Sequence, residues 1–161
     1  MKISDYAPRT GAMDFYLRGT RLKGVEVGVD AGAHAESLLR YSDIETLYLI
    51  DIWDKEYYRG YCAGRLARWQ HKIVMMPGDS ITLSAAFQSR FFDFIYLDQM
   101  HDYETVKKDL VTWWEKLGSG GIMALRNYSG SNEGLIRAAD EFKVAKKYKV
   151  ESYHGEIIFF R

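Results

Sequence analysis

Carboxylates and glycines fall together early in the chain, where Glu26-Val27-Gly28-Val29-Asp30-Ala31-Gly32 sets acids and glycines in one short stretch. Glycines at such a turn let the backbone bend sharply and approach a ligand closely. A dinucleotide fingerprint would read G-x-G-x-x-G, but Asp30 and Ala33 hold the second and third glycine positions. A carboxylate at Asp30 would repel a pyrophosphate, so Glu26 and Asp30 suit a cationic ligand better. Asp51 follows about 20 residues further on, the offset at which an acid meets ribose hydroxyls in dinucleotide folds. Gly78-Asp79-Ser80 offers a donor–acceptor edge to a purine, and equally a helix N-cap ahead of Ile81.

A second group of polar residues lies later. Asp98 and His101 make a plausible acid–base pair, because imidazole titrates near neutrality and can take a proton from a hydroxyl or amine. The plainer alternative is that His101 caps or orients the helix that follows. In Leu125-Arg126-Asn127-Tyr128 the pattern changes. A hard divalent cation wants several oxygen ligands. Asp98 and Asn127 could offer two, whereas Arg126 offers none and adds positive charge, so no bound metal is expected. The Arg126 guanidinium could bind a substrate carboxylate or phosphate. It could equally stand in for a metal's charge, or form an ordinary salt bridge.

The elements that must position these residues alternate. Short apolar runs at 25–29, 47–52, 73–76, 94–97 and 121–125 suit buried parallel strands. Helical patterns lie between them at 33–41, 54–70 and 81–89. In the next helix, Val106, Leu110, Trp113, Trp114 and Leu117 mark one apolar face, with Gly118 as the stop and one of the tryptophans partly exposed. A last helix carries Leu135, Ala139 and Phe142. The segments 148–153 and 156–160 around His154-Gly155 read as a terminal hairpin. Repeated βα units give a doubly wound α/β sheet, mostly parallel, closed by an antiparallel hairpin strand. Ligands bind such sheets beyond the carboxyl ends of the strands, where the acids and glycines above are found.

Composition narrows the partners. The 161 residues fit one domain, and Lys+Arg 22 against Asp+Glu 22 gives zero formal net charge. That argues against sequence-independent nucleic-acid binding. A single cysteine, Cys62, precludes an internal disulfide and suits a reducing compartment. No apolar run approaches the roughly 20 residues that span a bilayer, and the first residues lack a signal-peptide core, so a cytoplasmic protein is expected. Tyr57, Tyr58, Tyr61, Arg65, Arg68 and Trp69 form an aromatic and basic segment. It reads as a substrate lid, a base-stacking surface, a homodimer contact, or packing against the sheet edge.

S-adenosylmethionine, with a sulfonium and an ammonium and no phosphate, meets the demands of the first group. Val25-Glu26-Val27-Gly28 with Gly32, Leu49-Ile50-Asp51-Ile52-Trp53, Gly78-Asp79-Ser80 and Phe92-Asp93-Phe94-Ile95-Tyr96-Leu97-Asp98 occur in this order. His101, Tyr103-Glu104, Asp109-Leu110 and Gly120-Gly121 continue the series. In these motifs the chain resembles the class I S-adenosylmethionine-dependent methyltransferases, most of all the compact methyltransferase domain 24 type. The resemblance runs from about residue 23 to the end and implies a Rossmann-like sheet over 23–161, with 1–22 as an N-terminal cap. It implies that Glu26, Gly28 and Gly32 line the methionine end of the cofactor, Asp51 holds the ribose, and Asp79 and Ser80 flank the adenine. Catalysis would fall to Asp98, His101, Arg126 and Asn127, with a small-molecule acceptor methylated on oxygen. The Arg126 position departs from the Asp-Asn of metal-dependent relatives. A catalytically degenerate cofactor-binding module that acts through a protein partner is the alternative.

Overall fold

The computed structural model describes residues 16, 17, 19–99, 102–153 and 155–161, so His101 and most of the expected N-terminal cap lie outside the described residues. Seven strands form one sheet: β1 (Leu22–Val27), β2 (Ile44–Asp51), β3 (Ile73–Pro77), β4 (Phe92–Leu97), β5 (Leu117–Leu125), β6 (Lys149–Tyr153) and β7 (Glu156–Phe160). Their order is β3-β2-β1-β4-β5-β7-β6. The first five are parallel, and β7 runs antiparallel to both β5 and β6. This is the expected doubly wound sheet with its terminal hairpin.

Among the described residues five α-helices accompany the strands: α1 (Ala33–Tyr41), α2 (Glu56–Arg65), α3 (Ser80–Ser84), α4 (Tyr103–Lys116) and α5 (Glu133–Lys146). Side chains alternate along a strand, so β4 feeds both layers of core. Ile95 and Leu97 meet Val106, Leu110 and Trp113 of α4 and Leu135 and Phe142 of α5. Phe94 and Tyr96 face the other side, with Ala35, Leu38 and Leu39 of α1 and Cys62 of α2. A strand buried on both faces accounts for the unbroken apolar run.

Several boundaries differ from expectation. The segment 54–70 is not one helix: α2 stops at Arg65, and a 3₁₀ turn, Ala67–Trp69, sets Trp69 into the core. The helix expected at 81–89 is the five-residue α3, after which the chain turns to bury Phe87. Helix α4 ends at Lys116, and Gly118 already belongs to β5. Trp113 and Trp114 are both buried. Tyr148 covers Trp114 with its ring centroid 4.1 Å away, and the Arg161 guanidinium lies 5.5 Å from its ring. Among the described residues no helix is long and apolar enough to cross a membrane.

Candidate functional site

Strands β1, β2 and β4 end together, and their ladders extend into the turns that follow. Gly28 N–H donates to Ile50 O at 2.9 Å and Asp98 N–H to Val27 O at 2.8 Å. Gly28 has φ +86°, and a Cβ there would lie 2.2 Å from the carbonyl oxygen of Asp98. Only glycine fits that approach. The turn leads to Gly32, also left-handed at φ +76°, ahead of α1.

Above this turn opens a cleft of about 670 Å³. Its walls carry the carboxylates of Glu26, Asp30, Asp51, Asp54 and Asp98, with His34, Ile52, Gln99 and Arg126 among them. An apolar groove of about 580 Å³ beside Tyr48, Val74, Met76 and Phe91 holds no charged group in its lining. Converging polar groups distinguish a binding site, and they belong to the first cleft.

Asp51 organises the turn. Its Oδ2 accepts the backbone N–H of Val29 at 2.7 Å and of Asp30 at 2.9 Å, and its Oδ1 accepts that of Trp53 at 2.7 Å. A carboxylate has about four lone-pair directions, so Oδ1 keeps acceptor capacity for a hydroxyl. The Trp53 indole N–H donates back to Asp30 O at 2.9 Å, and Arg65 Nε donates to Ala31 O at 3.0 Å. Arg65, from the aromatic and basic segment, thus rivets the turn, while Tyr57 and Tyr61 remain exposed.

Glu26 is 1% exposed, and its Oε2 lies 3.4 Å from His34 Nδ1. Burial raises its carboxyl above the ordinary range, an effect opposed by His34. The His34 ring stacks on Tyr96 at 3.7 Å, and the Tyr96 hydroxyl donates to buried Glu156 at 2.8 Å. Burial and then Glu156 push that phenol well above its usual range.

Beyond β4 and β5, Arg126 donates to Asp98 Oδ2 at 2.7 Å. Asn127, left-handed at φ 63°, turns its Nδ2 to Asp98 Oδ1 at 3.2 Å. Hydrogen bonding to Asp98 raises the Arg126 guanidinium's pKa further. Asp98 therefore faces N–H donors on both oxygens. Among the described residues no group of three or more His, Cys, Asp or Glu could hold a metal ion. Asp98 and Asn127 do not fit a divalent cation as they stand, because the Arg126 guanidinium and the Asn127 amide already occupy both Asp98 oxygens.

Asp79 and Ser80 are not in the cleft lining. Asp79 caps α3, accepting from Thr82 N–H at 2.8 Å and from the Thr82 hydroxyl at 2.7 Å, and these bonds hold its carboxyl below the usual range. Ser80 is buried and donates to Asp109 Oδ1 at 2.9 Å. His34, Ile52, Asp54 and Gln99 join the cleft without having been singled out from sequence. His34 had a signal, since it follows the glycine turn in the first turn of a helix, where ligands meet backbone N–H groups.

A family profile described as a methyltransferase domain matches residues 25–128. No curated protein matches the chain in sequence. Among solved structures, a candidate caffeoyl-CoA O-methyltransferase from Staphylococcus aureus superposes with TM-score 0.73 at 13% identity, over 92% of this chain and 79% of that one. An S-adenosylmethionine-dependent O-methyltransferase from Thermotoga maritima gives 0.69 at 15% identity, over 92% and 63%. A candidate rRNA methylase from Clostridium thermocellum gives 0.70 at 15% identity, over 92% and 93%. At these identities the likeness is one of fold.

Proposed function

The chain belongs to the methyltransferase domain family, and on that premise we propose that it transfers the methyl group of S-adenosylmethionine to an oxygen of a small-molecule acceptor, without a divalent metal. The observation that carries this reading is the glycine turn under an acid-walled cleft. Gly28 lets the turn pass against the Asp98 backbone where no side chain fits, and the surrounding carboxylates suit a ligand bearing a sulfonium and an ammonium. The cofactor supplies an activated methyl group. The residues need only hold it, bring an acceptor into line and keep water out.

In this reading Glu26, steadied by His34, faces the ammonium at the methionine end, beside Gly28 and Gly32. Asp51 Oδ1 takes a ribose hydroxyl with its remaining lone pair. Ile52, 67% exposed at the cleft wall, offers an apolar face to the adenine. Asp79 and Ser80 act on the adenine side through the fold rather than by touching the ligand. Arg126 holds the acceptor oxygen as it loses its proton, with Asp98 fixing the guanidinium and Asn127 in turn donating to Asp98. His101 is the candidate base for an acceptor hydroxyl. The oxygen preference is supported by Arg126, suited to an anionic oxygen, and by the O-methyltransferases among the structural neighbours.

The test is formation of S-adenosylhomocysteine with a panel of hydroxylated small molecules, with and without EDTA. Turnover that survives the chelator is expected. Turnover abolished by EDTA and restored by magnesium would overturn the role given to Arg126.

A further inference from the structure

We propose that Asp109 is a positioning residue for the cleft: it fixes which end of the Gln99 side-chain amide faces the ligand. The inference rests on the cofactor reading above and adds a residue from the α4 interior.

Asp109 is a carboxylate only 2% exposed, on the buried face of α4. Its Oδ1 accepts the Ser80 hydroxyl at 2.9 Å, and its Oδ2 accepts Gln99 Nε2. The Trp113 indole N–H donates to Ser80 Oγ at 2.8 Å. Gln99 in turn lines the cleft.

The direction of this relay follows from donor chemistry. An indole N–H can only donate, so the Ser80 oxygen receives it and the Ser80 proton goes to Asp109. The ionised carboxylate can only accept, so Gln99 must offer it the amino end of its amide. Reversing the amide would set Oε1 against a buried carboxylate, two acceptors with no proton between them. The carbonyl is thus the end left for the ligand. Gln99 follows Asp98 at the end of β4, and its bond to Asp109, itself tied to Ser80 at the start of α3, draws the amino end of the amide into the α4 interior. Asp109 therefore makes this wall an acceptor for a ligand N–H, which in the cofactor reading is the 6-amino group of adenine.

A free glutamine would adapt to a ligand oxygen by turning round, whereas a held one would reject it. S-inosylhomocysteine, which carries oxygen in place of that amino group, separates the two cases. Calorimetric titration should show wild-type protein binding S-adenosylhomocysteine about tenfold more tightly than the inosyl analogue, the worth of one neutral hydrogen bond. Asp109→Asn keeps the volume but can donate to Gln99 Oε1. The amide can then turn, and the preference should shrink to within about threefold, a change worth less than one such bond. Gln99→Ala should lose the preference, and adding Asp109→Asn to it should change nothing more. Thermal unfolding of each variant confirms that it is folded. Equal binding of both ligands by the wild type would overturn the proposal. So would an Asp109→Asn variant that keeps the wild-type ratio, or one that weakens binding equally with and without Gln99. Failure of the wild type to bind S-adenosylhomocysteine at all would overturn the cofactor reading and the relay with it.

Discussion

Replacing Asp51 by alanine should do two separable kinds of damage. The carboxylate accepts three backbone N–H groups, from Val29, Asp30 and Trp53. Val29 and Trp53 are 4% and 5% exposed, so their N–H groups lose a partner where water does not readily replace it, while exposed Asp30 can turn to solvent. A hydrogen bond to a charged group is worth about 1.5–3 kcal/mol. Two such losses, with a smaller one at Asp30, amount to about 4 kcal/mol. For a domain of this size each kcal/mol moves the midpoint by about 2–4 °C, so Asp51→Ala should melt about 10 °C lower. Asp51→Asn keeps an acceptor oxygen but turns an NH₂ towards a backbone N–H, and should fall between. The assay is thermal unfolding by circular dichroism, paired with calorimetric titration of S-adenosylhomocysteine below the lower midpoint. Affinity should drop at least about tenfold, as a ribose hydroxyl loses a charged acceptor. A midpoint within about 2 °C of wild type, less than 1 kcal/mol on the same scale, would refute the clasp. A large loss of stability with unchanged affinity would refute the ribose contact and leave the clasp standing.

Asp109 predicts a pH dependence of stability. Burial lifts its carboxyl from the ordinary 3.8 to about 6, so the folded chain binds this proton more tightly than the unfolded chain. The stabilisation is fully present below about pH 4 and is lost as pH rises through 6, a difference of about 3 kcal/mol at 1.4 kcal/mol per unit. Asp109→Asn, which stays neutral, should therefore gain on wild type between pH 4.5 and pH 7.5 in urea unfolding, and a constant difference would contradict the assignment. Burial pushes the Cys62 thiol up to about 12, so it should resist Ellman's reagent at pH 8 in the native protein and react fully in denaturant. Arg126→Ala should lower kcat about 100-fold, the cost of losing a donor that holds the acceptor oxygen as it is deprotonated, while leaving S-adenosylhomocysteine affinity nearly unchanged. An equal loss of both would place Arg126 in cofactor binding instead.

The parts of the fold visible in the sequence are those set by local rules. Helix α1 begins and ends as expected because Gly32 precedes an amphipathic stretch and Ser42 follows it. The strand series was visible because each run is apolar and bounded by turn residues. What stayed hidden depends on distant partners. Ser80 was legible as a polar residue after β3, but the bond its hydroxyl donates to Asp109, 29 residues away, was not. Asp51 was legible as an acid at a strand end, but its backbone donors come chiefly from the preceding glycine turn. Trp114 lies on the rim of its helix face, and its burial depends on Tyr148 and Arg161 from beyond that helix. Arg126 was legible as an anomaly, but its bond to Asp98, 28 residues away, was not.

Calorimetric titration of S-adenosylhomocysteine into the wild-type protein and into Gly28→Ala tests the central claim most directly. The added Cβ would lie 2.2 Å from Asp98 O, in the floor of the cleft. Saturable binding at a single site in the wild type, abolished in a folded Gly28→Ala variant, is the predicted result. No heat from the wild type at millimolar ligand, or equal binding by the two proteins, would contradict it.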